Sequence, residues 1–255
     1  MPCESMHRPI YLVNMKGIIL SGGAGTRLLP LTKITSKQLL PIYNKPMIFY
    51  PLNTLIKAGI KEILIIVAPE RAGDYLNLLG SGKEFGVRFT YEIQDKPAGL
   101  PEAFIIGEQF IGTDNVAMIL GDNVFEDDFS EEIKSFKSGA KIFAKKVKDP
   151  ERFGVVKFDE NRKAQIIVEK PKEWISDYAI TGLYLYDKRV VGAAKELKPG
   201  SRGELEIVDI HNWYLGKGEL DVVDVKGEWV DCGTFDSLLA AQVLAEKKLQ
   251  HQLVI

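Results

Sequence analysis

Three short, almost uninterrupted apolar runs constrain this chain most. They are "MKGIIL" (Met15–Leu20), "KEILIIVAP" (Lys61–Pro69) and "NVAMILGD" (Asn115–Asp122). A strand with one wet face alternates apolar and polar residues, so a run with a continuous apolar centre predicts a strand covered on both faces. Between the runs lie stretches with helical spacing: "KPMIFYPLNTLIKAGI" (Lys45–Ile60), with Gly59 as its stop, and "LPEAFIIGEQFI" (Leu100–Ile111). "VRFTYEIQ" (Val87–Gln94) alternates and reads as a further strand, and "DFSEEIKSFKSG" reads as a helix. Strands alternating with helices predict an α/β fold: a mostly parallel, mixed central sheet with helices on both faces.

The second half is richer in strands. "AKIFAKKV", "GVVKFD", "AQIIVEKP" and "YAITGLYLYD" follow one another closely, and "ELDVVDV" and "GEWVDCGT" come after two more helical stretches. No composition shift or repeat divides the chain, so 15–255 is expected to be one domain with two lobes. Residues 1–14 read as a leader outside the core, without the long apolar centre of a signal peptide. A formal net charge of −2 gives no basic field to attract nucleic acid. No apolar run approaches the about 20 residues needed to span a bilayer. Two cysteines, Cys3 and Cys232, give no disulfide framework, and a cytoplasmic location is expected. His7, His211 and His251 lack metal-ligand spacing.

The first apolar run ends in "LSGGAGTRLLPLTKITSKQLLP" (Leu20–Pro41). In a parallel α/β sheet, ligands bind beyond the carboxyl ends of the strands. Gly22, Gly23 and Gly25 let backbone amides approach a ligand closely and form an anion nest. Arg27 and Lys37 add positive charge, which makes a polyphosphate the natural guest. The dinucleotide pattern G-x-G-x-x-G fails at Leu28, and the pattern G-x-x-x-x-G-K-[ST] is absent from the chain. On the glycines alone, a ligand-free turn is an equal reading. Asp122 and Asp231 close strands and could hold a cation, and turn-forming aspartates are as good a reading of each.

The motifs taken together are more specific. The loop, "LGDN" (Leu120–Asn123), "RFGVVKFD", "EKP" (Glu169–Pro171), "YAITGLYLYD", "RGELEI" (Arg202–Ile207) and "WVDCGT" (Trp229–Thr234) run in one order over nearly everything from Met15 onward. In that order they resemble the signature of the sugar-1-phosphate nucleotidyltransferases, most of all the members that transfer a thymidylyl group to glucose-1-phosphate. The resemblance implies a Rossmann-like nucleotidyltransferase fold with a smaller sugar-binding lobe. It implies a nucleoside triphosphate, with dTTP favoured, and a hexose-1-phosphate as substrates, with Mg²⁺ held by Asp122 and Asp231. It also implies a homo-oligomer, with no nucleic-acid or membrane partner.

The resemblance further implies a role for each matching residue. Arg27, Lys37, Lys170, Asp122 and Asp231 are the catalytic set. Gly22, Gly23, Gly25, Thr26, Arg27, Gln38, Gln94 and Gly99 are the nucleotide contacts. Asn123, Gly154, Glu169, Lys170, Ile180 and Thr181 are the sugar contacts. "DKPAGLPEA" (Asp95–Ala103) departs from the stretch many relatives carry, which leaves uridylyl or cytidylyl transfer open beside thymidylyl transfer. A non-catalytic sugar-nucleotide sensor is the rival from another class, and the presence of all five charged residues counts against it. The sequence ends on one helix, "FDSLLAAQVLAEKKLQHQLVI" (Phe235–Ile255), where some relatives carry a helical regulatory extension, so feedback control is expected to be weak or differently built. Trp229, Tyr178, Tyr184, Tyr186 and His211 are expected to pack rather than react.

Overall fold

The computed structural model describes residues 15–23, 25–200 and 203–252, excluding the side chains of 248–252. The expected leader, 1–14, lies outside the described residues. Strand β1 (Met15–Ser21) is central and pairs in parallel with β4 (Glu62–Val67) and β6 (Asn115–Leu120), setting Ile19 opposite Ile65 and Ile119. Strand β5 (Arg88–Ile93) continues the parallel block beyond β4.

Beyond β6 the direction reverses. β11 (Tyr178–Tyr186) is antiparallel to β6 and also pairs with β8 (Ala140–Lys146) and β9 (Gly154–Phe158). β10 (Ala164–Glu169) pairs with β9, and β12 (Leu220–Asp224) lies parallel to β8, completing a nine-stranded sheet. Two small ribbons stand apart: β2 (Pro41–Ile42) with β3 (Lys45–Pro46), and β7 (Asn123–Phe125) with β13 (Trp229–Asp231).

The apolar runs behave as their composition dictates. In β1, Ile19 enters the core on one face while Ile18 and Leu20 enter the core on the other. The first face is covered by α1 (Phe49–Lys57), α2 (Ala72–Leu79) and α5 (Ser130–Ser135). The second is covered by α3 (Glu102–Ile106), α4 (Glu108–Ile111), α6 (Val190–Glu196) and α7 (Ile207–Leu215). A third cluster joins α8 (Phe235–Gln252), through Leu238, Ala241 and Leu244, to Leu28, Ile42 and Met47. Each fully buried Ile or Leu contributes about 1.5–3 kcal/mol relative to exposure.

Two helices differ from their sequence readings. The one expected from Lys45 starts at Phe49, because Lys45 and Pro46 pair with Ile42 and Pro41. The one expected across Leu100–Ile111 breaks at Gly107, where a Cβ would lie 2.9 Å from the Ala103 carbonyl oxygen and 3.0 Å from Leu64. Glycine lets that turn press against the sheet.

Candidate active site

The parallel strands β1, β5 and β6 end along one edge of the sheet, and the segments after them wall a cleft of about 600 Å³. Gly23 follows β1, Gln94 follows β5 and Asp122 follows β6, and all three line it. The facing wall comes from the antiparallel half: Gly154 opens β9, Glu169 ends β10, and Ile180 and Thr181 sit in β11. Ligand cavities for small molecules run about 300–1,000 Å³, and the cleft falls within that range.

The loop after β1 is built from 3₁₀ turns at Thr26–Leu28, Leu31–Lys33 and Lys37–Leu39. Gly25 opens the first with φ 63°, a left-handed conformation that favours glycine, and a Cβ there would be 2.9 Å from the Thr32 methyl. Gly22, Gly25 and Thr26 support the loop beside the cleft, while Gly23, Arg27, Lys37 and Gln38 line it. Leu28 is fully buried beneath α8 and anchors the turn, which leaves the neighbouring Arg27 exposed at the cleft. The Arg27 guanidinium lies over Gly233, where a Cβ would be 2.6 Å from it.

Lys37 is buried and pairs with the Asp122 carboxylate. Burial alone would push the Lys37 ammonium down, but the Asp122 charge outweighs it and the pKa ends above its usual value. Burial would likewise raise Asp122, and Lys37 together with a hydrogen bond from Asn123 holds it below the usual carboxylate range. Gln38 is buried in the same wall and accepts a hydrogen bond from the Tyr75 hydroxyl at 3.3 Å.

The two distant aspartates meet through the β7–β13 ribbon. Asn123 is the register partner of Asp231, and the Cys232 N–H donates to the Asp122 carbonyl at 2.9 Å. Among the described residues Asp231 forms no salt bridge, although the charges of Lys37, Arg27 and Arg152 act on it. Burial, and then the Asp122 charge, push its carboxyl up to about 6. A pair of carboxylates with one dedicated cation is an electrostatically unfinished site. Asn123, 2% exposed, is the bracket of this corner. It donates to Asp122 at 3.0 Å and accepts from the Gly182 N–H at 3.0 Å and the Trp229 indole at 2.6 Å. Its polar atoms serve the scaffold as well as lining the cleft.

On the facing wall, the Lys170 ammonium is 3.3 Å from Glu169. Lys170 has φ 42°, a conformation costing of order 1–3 kcal/mol for a residue with a side chain. The backbone holds it there: the Lys170 N–H donates to Phe153 O at 3.0 Å. Gly154 packs tightly: a Cβ would lie 3.0 Å from Val208 and 3.3 Å from Glu169, so a side chain would press on both. The Thr181 hydroxyl donates to the Phe143 carbonyl at 3.0 Å, and Ile180 and Thr181 both line the cleft. At the other end, Gln94 is buried and Gly99 adopts φ 106° against Leu205, linking this end of the cleft to the segment before α7.

Arg152 and Glu102 carried no role in the sequence reading. Arg152 lines the cleft, and its charge is among those that pull the Asp231 carboxyl down. It opens the "RFGVVKFD" motif, a visible signal without an assignable role. His211 packs as expected: it is fully buried and stacked on Tyr186 at 6.1 Å, and burial lowers its pKa to about 3.

Comparison with known proteins covers the whole of this architecture. A family model described as nucleotidyl transferase matches residues 16–248. A glucose-1-phosphate thymidylyltransferase of Neisseria meningitidis is 54% identical over 88% of this chain and 80% of its own length. One from Mycolicibacterium smegmatis is 50% identical over 89% of this chain and 81% of its own. Among solved structures, a candidate glucose-1-phosphate thymidylyltransferase of Bacillus anthracis superposes with TM-score 0.86 at 51% identity, covering 91% of this chain and 95% of that one. A UDP-glucose pyrophosphorylase complexed with UDP-glucose superposes with TM-score 0.80 at 26% identity, covering 92% and 99%.

Proposed function

The chain belongs to the nucleotidyl transferase family, and from that premise we propose that it transfers a thymidylyl group from dTTP to glucose-1-phosphate, giving dTDP-glucose and pyrophosphate. The observation that carries the reading is the placement, across one cleft, of the Asp122–Asp231 pair beneath the glycine loop and the Glu169–Lys170 pair opposite. One side offers a triphosphate site and the other a site for a sugar phosphate.

In this reading an oxygen of the sugar phosphate attacks the α-phosphorus of the triphosphate. The new P–O bond forms as the bond from the α-phosphorus to the bridging β-phosphate oxygen breaks, and pyrophosphate carries the electron pair away. The attacking group is already an anion, so no side chain has to be a nucleophile. What the reaction needs is alignment and neutralisation of charge. Arg27, exposed at the cleft, supplies charge to the triphosphate. Lys170, strained and paired with its neighbour Glu169, meets the incoming phosphate, and Glu169 accepts from sugar hydroxyls. The Lys37 ammonium is committed to Asp122, so it keeps that carboxylate ionised and oriented. This differs from the direct polyphosphate contact that its charge beside the glycine loop suggests.

The donor set fits Mg²⁺. Among the described residues no group of three or more His, Cys, Asp or Glu side chains could hold a metal, so two carboxylates need substrate oxygens to complete a shell. Asp122 and Asp231 would hold the ion, which when bound offsets phosphate charge. A cytoplasmic setting belongs to the same reading, supported by the buried free thiol of Cys232. So does a homo-oligomer, supported by the exposed stripe Phe235, Leu239 and Val243 on α8.

The test is pyrophosphate release with glucose-1-phosphate and Mg²⁺, run in parallel with dTTP, UTP, CTP, GTP and ATP. Fastest release with dTTP supports the reading. Faster release with another triphosphate removes the thymidylyl assignment, and no release with any removes the reaction.

A further inference from the structure

Gln94 enters the cleft with one of its two polar ends already committed. Its Nε2 donates to Glu102 Oε2 at 2.6 Å, and the same oxygen accepts the Ala98 backbone N–H at 3.3 Å. A carboxylate only accepts, so the end of the amide turned to Glu102 has to be the NH₂. The Gln94 Oε1 is thereby turned to the glycine loop, where a Cβ on Gly22 would lie 2.3 Å from it. A side chain at Gly22 would displace this oxygen.

An unconstrained amide reads two different base edges. With its oxygen against the ring nitrogen it accepts a ring N–H, and its second amide hydrogen donates to an adjacent carbonyl. That is the imide edge of thymine or uracil. Turned over, it donates to a bare ring nitrogen and accepts from an exocyclic amine, the edge of cytosine. Turning Gln94 over would set its oxygen against the Glu102 carboxylate, replacing a charge-assisted hydrogen bond with a repulsion.

We infer that Glu102 is a positioning residue that locks the Gln94 amide in one orientation, and that this lock selects a base with an imide N–H over cytosine. The inference rests on the nucleotide reading of the cleft. Glu102 is half-buried in the first turn of α3, so it acts through Gln94 from beside the cleft.

The experiment measures equilibrium binding of dTTP and dCTP, without sugar, to the full chain and to two variants, alongside pyrophosphate release. Glu102→Met keeps the bulk and removes the acceptor. The dTTP-to-dCTP affinity ratio is expected to fall about tenfold or more, the loss of roughly one hydrogen-bond preference. Glu102→Gln is expected to restore the ratio, because the Ala98 N–H keeps an amide oxygen in the acceptor position. A purely structural role for Glu102 would weaken both nucleotides equally and leave the ratio unmoved. That result overturns the inference, as does a wild-type protein that binds both alike. If Glu102→Met melts early, Glu102→Ala makes the same deletion. Discrimination in binding without pyrophosphate release would remove the reaction reading and leave the inference standing.

Discussion

Arg27 and Lys37 carry the same charge under different constraints. Lys37 is buried against Asp122, whereas Arg27 is exposed at the cleft. Arg27→Ala is therefore expected to lower turnover by orders of magnitude with a melting temperature close to wild type. Lys37→Met leaves a buried carboxylate unpaired beside a second one, and is expected to cost about 3–5 kcal/mol in stability. Adding Asp122→Asn should recover part of that loss. Denaturant titration of the three variants checks the contrast, and equal stability losses for Arg27→Ala and Lys37→Met would contradict it. Asp231 gives the opposite sign. Its carboxyl is raised from 3.8 to about 6 by burial and by Asp122, so the folded state holds a proton that the unfolded chain has released. The associated stability is present below pH 3.8 and lost as pH rises through about 6. At pH 7 in the absence of Mg²⁺, Asp231→Asn is expected to be more stable than wild type by on the order of 1–3 kcal/mol, with activity lost. Melting curves from pH 4 to 7 should show the gain growing with pH.

The elements that build the site were legible to different degrees. β1, β4 and β6 were readable because both their faces are buried, which makes their centres continuously apolar. α2 was not read as a helix: only Tyr75 and Leu79 are buried along it, while Leu76 and Leu78 are exposed, so its apolar residues trace no clean stripe. The break at Gly107 was hidden too, since it answers to Leu64 and Ile18 on other strands rather than to local sequence. The β7–β13 ribbon is the sharpest case. Nothing local to Asn123 tells that it ties β7 to the Trp229 indole and the Gly182 N–H. Asn123→Ala would orphan both donors and is expected to cost roughly 2–4 kcal/mol, together with a larger loss of turnover as Asp122 and Asp231 lose their register. Unchanged stability in a denaturant titration would mean that other contacts hold the ribbon.

On the scale of the whole molecule, one sheet edge collects residues from the length of the chain. Residue types and motif order suggested which groups matter. They could not show that Lys37 is committed to Asp122, that the Thr181 hydroxyl is spent on the backbone, or that Glu102 stands behind Gln94, because each depends on a partner distant in the chain or on a side-chain direction. In the proposed reaction this cleft joins a sugar phosphate to the α-phosphorus of a triphosphate. Phosphorus NMR of dTTP, glucose-1-phosphate, Mg²⁺ and the protein tests it most directly, because it reports every phosphorus species at once. Paired diphosphate resonances of a nucleotide sugar are expected to grow in step with free pyrophosphate, and neither is expected with folded Arg27→Ala or Asp122→Ala protein. Orthophosphate or nucleoside monophosphate in their place would show hydrolysis rather than transfer and would contradict it.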